Sequence, residues 1–260
     1  METQPIILQN KYILLDQIGS GAYSKVYKGQ HIDKKHYVAI KFDYDDTSKK
    51  LIENEIRIYL RLLKYKDEHI VNIKSFGVID KYNYIITEWL PYSFENHVKT
   101  NMNRIDINKL FNNLFQIIET LHKRNYIHRD IKPDNFLMNQ ENKIYIIDLG
   151  LSTEYSEKNR LKHRIGSYLF CSFNVHSENY VYQKKDDIIS LFYMFFYLFT
   201  NGDLPWNHIC MNHNDKKNKV FSLLKKYTDY YEYYKTYPQL SCIIKSYYHY
   251  IKHNKIIYYN

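Results

Sequence analysis

Residues 127–138 read IHRDIKPDNFLM, which places a His, an Arg, two Asp, a Lys and an Asn inside twelve positions with apolar ends. A solvated loop could hold such charges without purpose. The neighbours argue against that. Upstream, Leu110, Leu114, Ile117, Ile118 and Leu121 recur at helical spacing and run straight into the segment, and downstream KIYIID (143–148) reads as a short strand. Side chains of these types at this spacing, held between a helix and a strand, point to chemistry.

The rest of the chain changes period once. From Lys11 to about Thr87 the pattern is short and β-like: YILLDQI (12–18) and KVYKGQ (25–30) flank GSGAYS, HYVAIKF (36–42) follows, and NYIITEW (83–89) closes the section. One helix interrupts it, in which Ile52, Ile56, Tyr59, Leu60 and Leu63 form an apolar stripe with Glu55 at its edge, looking toward the sheet. After a connector holding Pro91 the pattern is largely helical, and the stretch 186–200 is apolar nearly all round, as a helix buried by its neighbours must be. The expected fold class is therefore α+β: a small antiparallel sheet with one helix over 11–90, then a larger, mostly helical part over 91–260 that is short at its end.

Bulk properties narrow the remaining options. At 260 residues the chain is long enough for one large domain or two lobes sharing a cleft. Its 45% hydrophobic and 25% charged content is that of a globular protein. The formal charge of +9 favours acidic partners. The lysines are dispersed and accompany no nucleic-acid motif, so no specific nucleic-acid partner is expected. Cys171, Cys210 and Cys242 are odd in number and lack CxxC spacing, which argues against a disulfide framework or a structural zinc and for a reducing, intracellular setting, cytoplasmic or nuclear. METQPIILQNKY has no continuous apolar core and does not read as a signal peptide. The most apolar run, Ile188 to Phe199, falls short of the roughly 20 residues that cross a bilayer. No membrane partner is expected, and the expected state is a monomer. The Tyr-rich end (227–260) is best used for packing between helices, since Tyr joins a large apolar body to a polar tip.

Four chemical motifs stand in one order: Gly19, Ser20, Gly21, Ala22, Tyr23 and Ser24 between two strands; Val38, Ala39, Ile40 and Lys41 on the third; His128, Arg129, Asp130 and Asn135 as H-R-D-x-x-x-x-N; then Asp148 at a strand end, followed by Leu149 and Gly150. Singly, each has an ordinary explanation; a glycine-containing loop makes hairpins, and a strand lysine is commonly solvated. Jointly they are the parts of phosphoryl transfer, whose dispersed negative charge needs cations and fixed geometry more than covalent chemistry. Lys41 is expected on the α and β phosphates of ATP, held by Glu55 fourteen positions later. Asp148 and Asn135 supply oxygen ligands suited to Mg²⁺. Asp130 accepts the proton of the incoming hydroxyl, and Lys132 balances the γ phosphate.

These residues resemble the eukaryotic-type protein kinases, and more narrowly the casein kinase I family of serine/threonine kinases. KPDNFLM (132–138), GSYLFCSFN (166–174) where other kinases carry A-P-E, KKDDIISL (184–191) and LPW (204–206) carry the narrower likeness, which spans about residues 11–210. The resemblance implies the two-lobed kinase fold and Mg-ATP. It implies adenine contacts from the backbone around Glu88 and Leu90, Thr87 at the back of the pocket, and Ile18, Val26 and Ala39 on one face of the base with Leu137 and Ile147 on the other. It also implies that Asp187 braces the catalytic loop, and that the substrates are proteins with Ser or Thr near acidic or phosphorylated residues. Arg129, Lys162, Arg164, Lys184 and Lys185 are the implied anion-binding surface. Leu149 for the usual Phe, Ser24 for the third glycine and Phe170 for the family's Tyr are departures that spare Lys41, Glu55, Asp130, Asn135 and Asp148. A pseudokinase scaffold, a small-molecule kinase and a nucleic-acid binder are the competing readings. The intact catalytic set opposes the first, and the glycine loop, Lys132 and GSYLFCSFN oppose the second.

Overall fold

The computed structural model describes residues 5–21, 24–158, 160–161, 163–177, 179–207 and 214–253. The chain forms two compact units: Met1–Tyr92 with Leu137–Ser152, and Ser93–Phe136 with Thr153–Asn260. Thus the stretch following the polar dodecamer returns to the first unit.

The first unit is built on a six-stranded antiparallel sheet of β1 (Ile7–Leu8), β2 (Tyr12–Ser20), β3 (Lys25–His31), β4 (Tyr37–Phe42), β5 (Ile73–Ile79) and β6 (Tyr82–Glu88), in the order β1-β2-β3-β4-β6-β5. Strand periodicity sends alternate side chains of β4 to opposite faces. Val38 and Ile40 enter a core with Leu8, Tyr12, Tyr84 and Ile86, so Ala39 and Lys41 take the other face. β5 and β1 lay outside the sequence expectation. In β5, IKSFGVI, half-buried and exposed positions alternate, which leaves its apolar pattern too weak to stand out.

Helix α1 (Asp46–Leu62) begins earlier than its apolar stripe indicates, because Asp45 and Ser48 form a reciprocal capping box that satisfies its first amides. Its buried positions Ile52, Glu55, Ile58, Tyr59 and Leu62 differ from the expected stripe. Leu60 and Leu63 are exposed. At 3.6 residues per turn, 52, 55, 59 and 62 share one line while 60 and 63 lie about a quarter turn away. Glu55 therefore sits in the middle of the buried face, not at its edge.

In the second unit, α2 (Phe94–Asn101) and α3 (Ile107–Lys123) start from Ser93 and Asp106 caps. α4 (Lys184–Phe199) is buried on nearly every side. It is followed by α5 (Asn214–Tyr227), α6 (Tyr230–Thr236) and α7 (Ser241–His253). The late tyrosines pack on α4: Tyr230 lies 5.3 Å from Phe196, Tyr247 5.3 Å from Phe192, and the two tyrosine rings are 4.7 Å apart. Among the described residues, no helix is long and apolar enough to cross a membrane.

Candidate active site

Each unit carries one set of the expected groups. In the first, the β4 pleat presents Lys41 away from the sheet core, and its Nζ lies 2.8 Å from Glu55 Oε2 and 2.8 Å from Asp148 Oδ1. Burial pulls the ammonium pKa down, but the charges of Asp148 and Glu55 outweigh it and the net displacement is upward, so Lys41 is a fixed cation. Burial pushes the Glu55 carboxyl up against the opposing pull of Lys41. The Leu149 backbone also hydrogen-bonds to Glu55. Asp148 is held in a left-handed conformation, φ 60°, and accepts a hydrogen bond from Gly150 N–H. Asn54 of α1 donates to the Gly150 and Ser152 carbonyls at 2.8 and 2.9 Å. The Tyr59 phenol hydrogen-bonds to the Asp148 backbone, and burial drives its pKa well up. Helix α1 thus fixes the turn that carries Asp148 through Asn54, Glu55 and Tyr59. Sequence reasoning singled out Glu55 but not Asn54 or the Tyr59 hydroxyl. Tyr59 stood in the apolar stripe, where its polar end gave no separate signal.

The nucleotide-lining candidates also lie in this unit, apart from Ala22 and Tyr23, which fall outside the described residues. Gly19 pairs with Val26, Val26 with Lys41, and Ala39 with Thr87. Residues opposite one another on antiparallel strands share a face. Val26, Ala39, Lys41 and Thr87 therefore form one surface, with Gly19 and Ser20 at the end of β2. The glycine loop closes by a Gly21 N–H to Ser24 carbonyl bond of 2.9 Å, and the Tyr44 hydroxyl donates to the Gly21 carbonyl at 3.1 Å. Ile18 is largely exposed at that strand's end, whereas Leu90 is buried. Leu137 and Ile147 are half-buried, in and after the short strands Phe136–Met138 and Ile144–Ile146. The Glu88 amide donates to the Asn72 carbonyl, and the Glu88 carboxylate accepts from the Asn72 amide at 2.9 Å. Both ends of Glu88 are thereby fixed by Asn72, another residue the sequence did not flag.

In the second unit, Asp130, Lys132 and Asn135 of the dodecamer pair with one another. Asp130 Oδ2 meets Lys132 Nζ at 2.6 Å and Asn135 Nδ2 at 3.1 Å, and its Oδ1 accepts from Ser167 N–H at 3.0 Å. Asn135 Nδ2 also donates to the Asp130 carbonyl at 2.7 Å. The Asn135 amide oxygen and, in the first unit, the Asp148 carboxylate are by chemical type the donors a hard divalent cation takes. Among the described residues no group of three or more His, Cys, Asp or Glu side chains could hold a metal ion. Asn135 and Asp148 would each offer one of the few protein oxygens that Mg²⁺ takes.

Asp187, fully buried on α4, accepts from the His128 and Arg129 amides at 2.8 and 2.9 Å, from Tyr182 Oη at 3.0 Å, and contacts His122 Nε2 at 2.9 Å. These bonds keep Arg129 at φ 70°, a conformation that a non-glycine residue holds only under constraint. Burial pushes the Asp187 pKa up, yet hydrogen bonding and the neighbouring histidines bring the net shift below the usual carboxylate value of 3.8. A carboxylate depressed in the fold stabilises it above the unfolded pKa and loses that contribution as pH falls through the folded one. Asp187→Asn is therefore expected to cost about 3 kcal/mol at neutral pH, with the gap to wild type shrinking below pH 3.8. Urea titrations at a series of pH values check this.

Gly166 is a site residue for geometric reasons. Its φ is +83°, and a Cβ there would stand 2.4 Å from the Arg129 carbonyl oxygen. Gly166→Ala is expected to destabilise by about 2 kcal/mol or more, from the strained conformation together with the clash. It should also lower activity by displacing Asp130, as thermal unfolding and initial rates together will show. Among the implied anion-binding cations, Lys162 lies outside the described residues. Lys184 donates to the His122 carbonyl at 2.6 Å. Arg164 donates to the Gly166 carbonyl and stacks on Tyr168 at 3.4 Å. Burial lowers the Arg129 pKa. Phe170 meets Tyr197 edge to face at 5.2 Å and needs no hydroxyl partner.

A cation braced by a buried carboxylate and a turn-held Asp in one unit, and a loop-held Asp beside Lys and Asn in the other, are the side-chain types that phosphoryl transfer uses. Residues 12–255 match the protein kinase domain family model, and the chain belongs to that family. It is a protein kinase with an antiparallel sheet in its N-terminal region and a helical C-terminal region.

Proposed function

We propose that this kinase transfers the γ phosphate of Mg-ATP to Ser or Thr hydroxyls of proteins, in the manner of the casein kinase I family, and favours sites near acidic or already phosphorylated residues. The unit proposed for this activity is residues 11–260, with 11–90 and 91–260 as its N- and C-terminal lobes. Lys41, positioned by Glu55, neutralises the α and β phosphates. Val26, Ala39, Thr87, Leu137 and Ile147, with the Glu88 and Leu90 backbone, receive the adenine, and Ile18 to Ser24 cover the phosphates. Asp148 and Asn135 would hold Mg²⁺, which when bound would supply positive charge against the phosphate oxygens. Asp130 takes the proton of the attacking alcohol through a carboxylate already oriented by Ser167, and Lys132 faces the transferred group.

The observation that carries this reading is the Ser167 amide on Asp130 Oδ1. It joins the proton acceptor to the start of GSYLFCSFN, a segment suited to a polypeptide acceptor. Casein kinase I character rests on that segment, on KKDDIISL and on LPW. The test is to incubate the purified chain with labelled ATP and dephosphorylated casein, hydrolyse the product, and identify the labelled amino acid. Paired peptides with and without a phosphoserine near the acceptor read out priming. Label on phosphoserine or phosphothreonine, faster on primed peptides, is expected. Label on phosphotyrosine, or faster phosphorylation of aminoglycosides or choline, would sink the proposal.

A further inference from the structure

Segment 166–174 begins against Asp130 but belongs to no sheet, and its only regular element is the start of the short 3-10 turn Phe173–His176. Its backbone carbonyls need other donors. Side chains from outside the segment supply them. Lys225 Nζ, on α5, donates to the Tyr168 and Cys171 carbonyls, both at 2.6 Å. Trp206 Nε1 donates to the Leu169 carbonyl at 2.8 Å, and Ser222 Oγ to the Phe173 carbonyl at 3.0 Å. Four carbonyls between 168 and 173 are thus gathered by three side chains, and Lys225 holds two of them.

Lys225 is unusual in its setting. It is fully buried, with 0% exposure. It lies against the two carbonyls and, at 3.3 Å, His176 Nε2. The rings of Tyr193, Trp206 and Phe221 surround it at 5.4, 5.6 and 5.6 Å, and the Cys171 sulfur is 3.9 Å away. Burying an ammonium costs free energy unless every donor is matched. A Met of similar length would fill the space without that cost. The feature Met lacks is the ability to hold two carbonyls of one irregular segment at a fixed separation.

We propose that Lys225, assisted by Ser222, is a positioning residue for the protein acceptor: it sets the shape of segment 168–173, past which a polypeptide must run to bring its hydroxyl to Asp130. This deepens the proposed function and rests on it. The role concerns the acceptor and not the nucleotide, because none of the three clamping side chains belongs to the unit that carries Lys41 and Asp148.

The test uses the whole chain with Lys225→Met and the milder Ser222→Ala. Removing the donor shared by the Tyr168 and Cys171 carbonyls is expected to lower kcat/KM for casein by about tenfold, chiefly through a higher casein KM. Ser222→Ala should act in the same direction by about threefold. ATP hydrolysis to water without an acceptor, and affinity for a fluorescent ATP analogue, should stay within about twofold of wild type. A parallel fall in hydrolysis and casein phosphorylation, or an unchanged casein KM in both variants, would overturn the proposal. Should Lys225→Met not fold, the casein KM of Ser222→Ala decides alone. Hydrogen exchange gives a reading independent of turnover: amides of 166–174 should exchange faster in the variants, and those around Lys41 and Glu55 should not. Unchanged exchange at 166–174 would overturn the positioning role even if the wild-type chain phosphorylated no protein. Absence of transfer by wild type to any protein acceptor would instead count against the proposed function.

Discussion

Asp130→Asn is expected to lower phosphate transfer to casein by about three orders of magnitude, the middle of the range for removing a general base. Asn has the same shape, and its amide oxygen can still accept the Ser167 N–H. The fold and ATP affinity should therefore stay near wild type. What is lost is the second anionic oxygen, which pairs with Lys132 at 2.6 Å and, in the proposed mechanism, receives the proton. Comparison of kcat/KM for casein with nucleotide affinity measured directly separates these effects. Residual transfer within tenfold of wild type would show that Asp130 is not the proton acceptor.

The second large effect is expected from Lys41→Met. The ammonium lies 2.8 Å from each of two carboxylates, one of them buried in α1. Removing it should cost about 3 kcal/mol, because Glu55 is left as an uncompensated buried charge. It should also lower kcat by about two orders of magnitude through lost stabilisation of the phosphates. The pH dependence supplies a sign that simple loss of packing would not. Burial already pushes the Glu55 carboxyl up while Lys41 opposes it. Without Lys41 the folded-state pKa rises further above the unfolded value of 4.5. A carboxylate raised in the fold destabilises it above that range, and the penalty fades as pH falls and the group is protonated. The stability gap between variant and wild type should therefore narrow toward acid. A gap that widens there would contradict the Lys41–Glu55 assignment.

The legible and illegible parts of this molecule differ by physical origin. The sheet strands of the first unit were visible because VAIKF and its neighbours alternate at a period of two. The polar dodecamer was visible because its charges stand between apolar anchors. β5 escaped because its positions are only half-buried, so solvent-side and core-side residues look alike. The phase of α1 was misjudged because Leu60 and Leu63 are apolar yet exposed. That phase matters, since it puts Glu55 at the centre of the buried face, where its carboxylate reaches Lys41.

By itself the sequence determined the class of chemistry: which side chains could handle phosphate, metal and proton, and in what order along the chain. That information is local, carried by residue type and spacing over a few positions. Only the tertiary structure decided which groups hold those side chains in place. Asn54 and Tyr59 on the Asp148 turn, Asn72 on Glu88, Asp187 beneath Arg129, and Lys225 on the carbonyls of 168 and 171 are contacts between distant positions. Most run to backbone atoms, which every residue possesses and no sequence pattern marks. A backbone carbonyl acquires its partner when packing brings a donor to it, and that is settled by the folded chain as a whole.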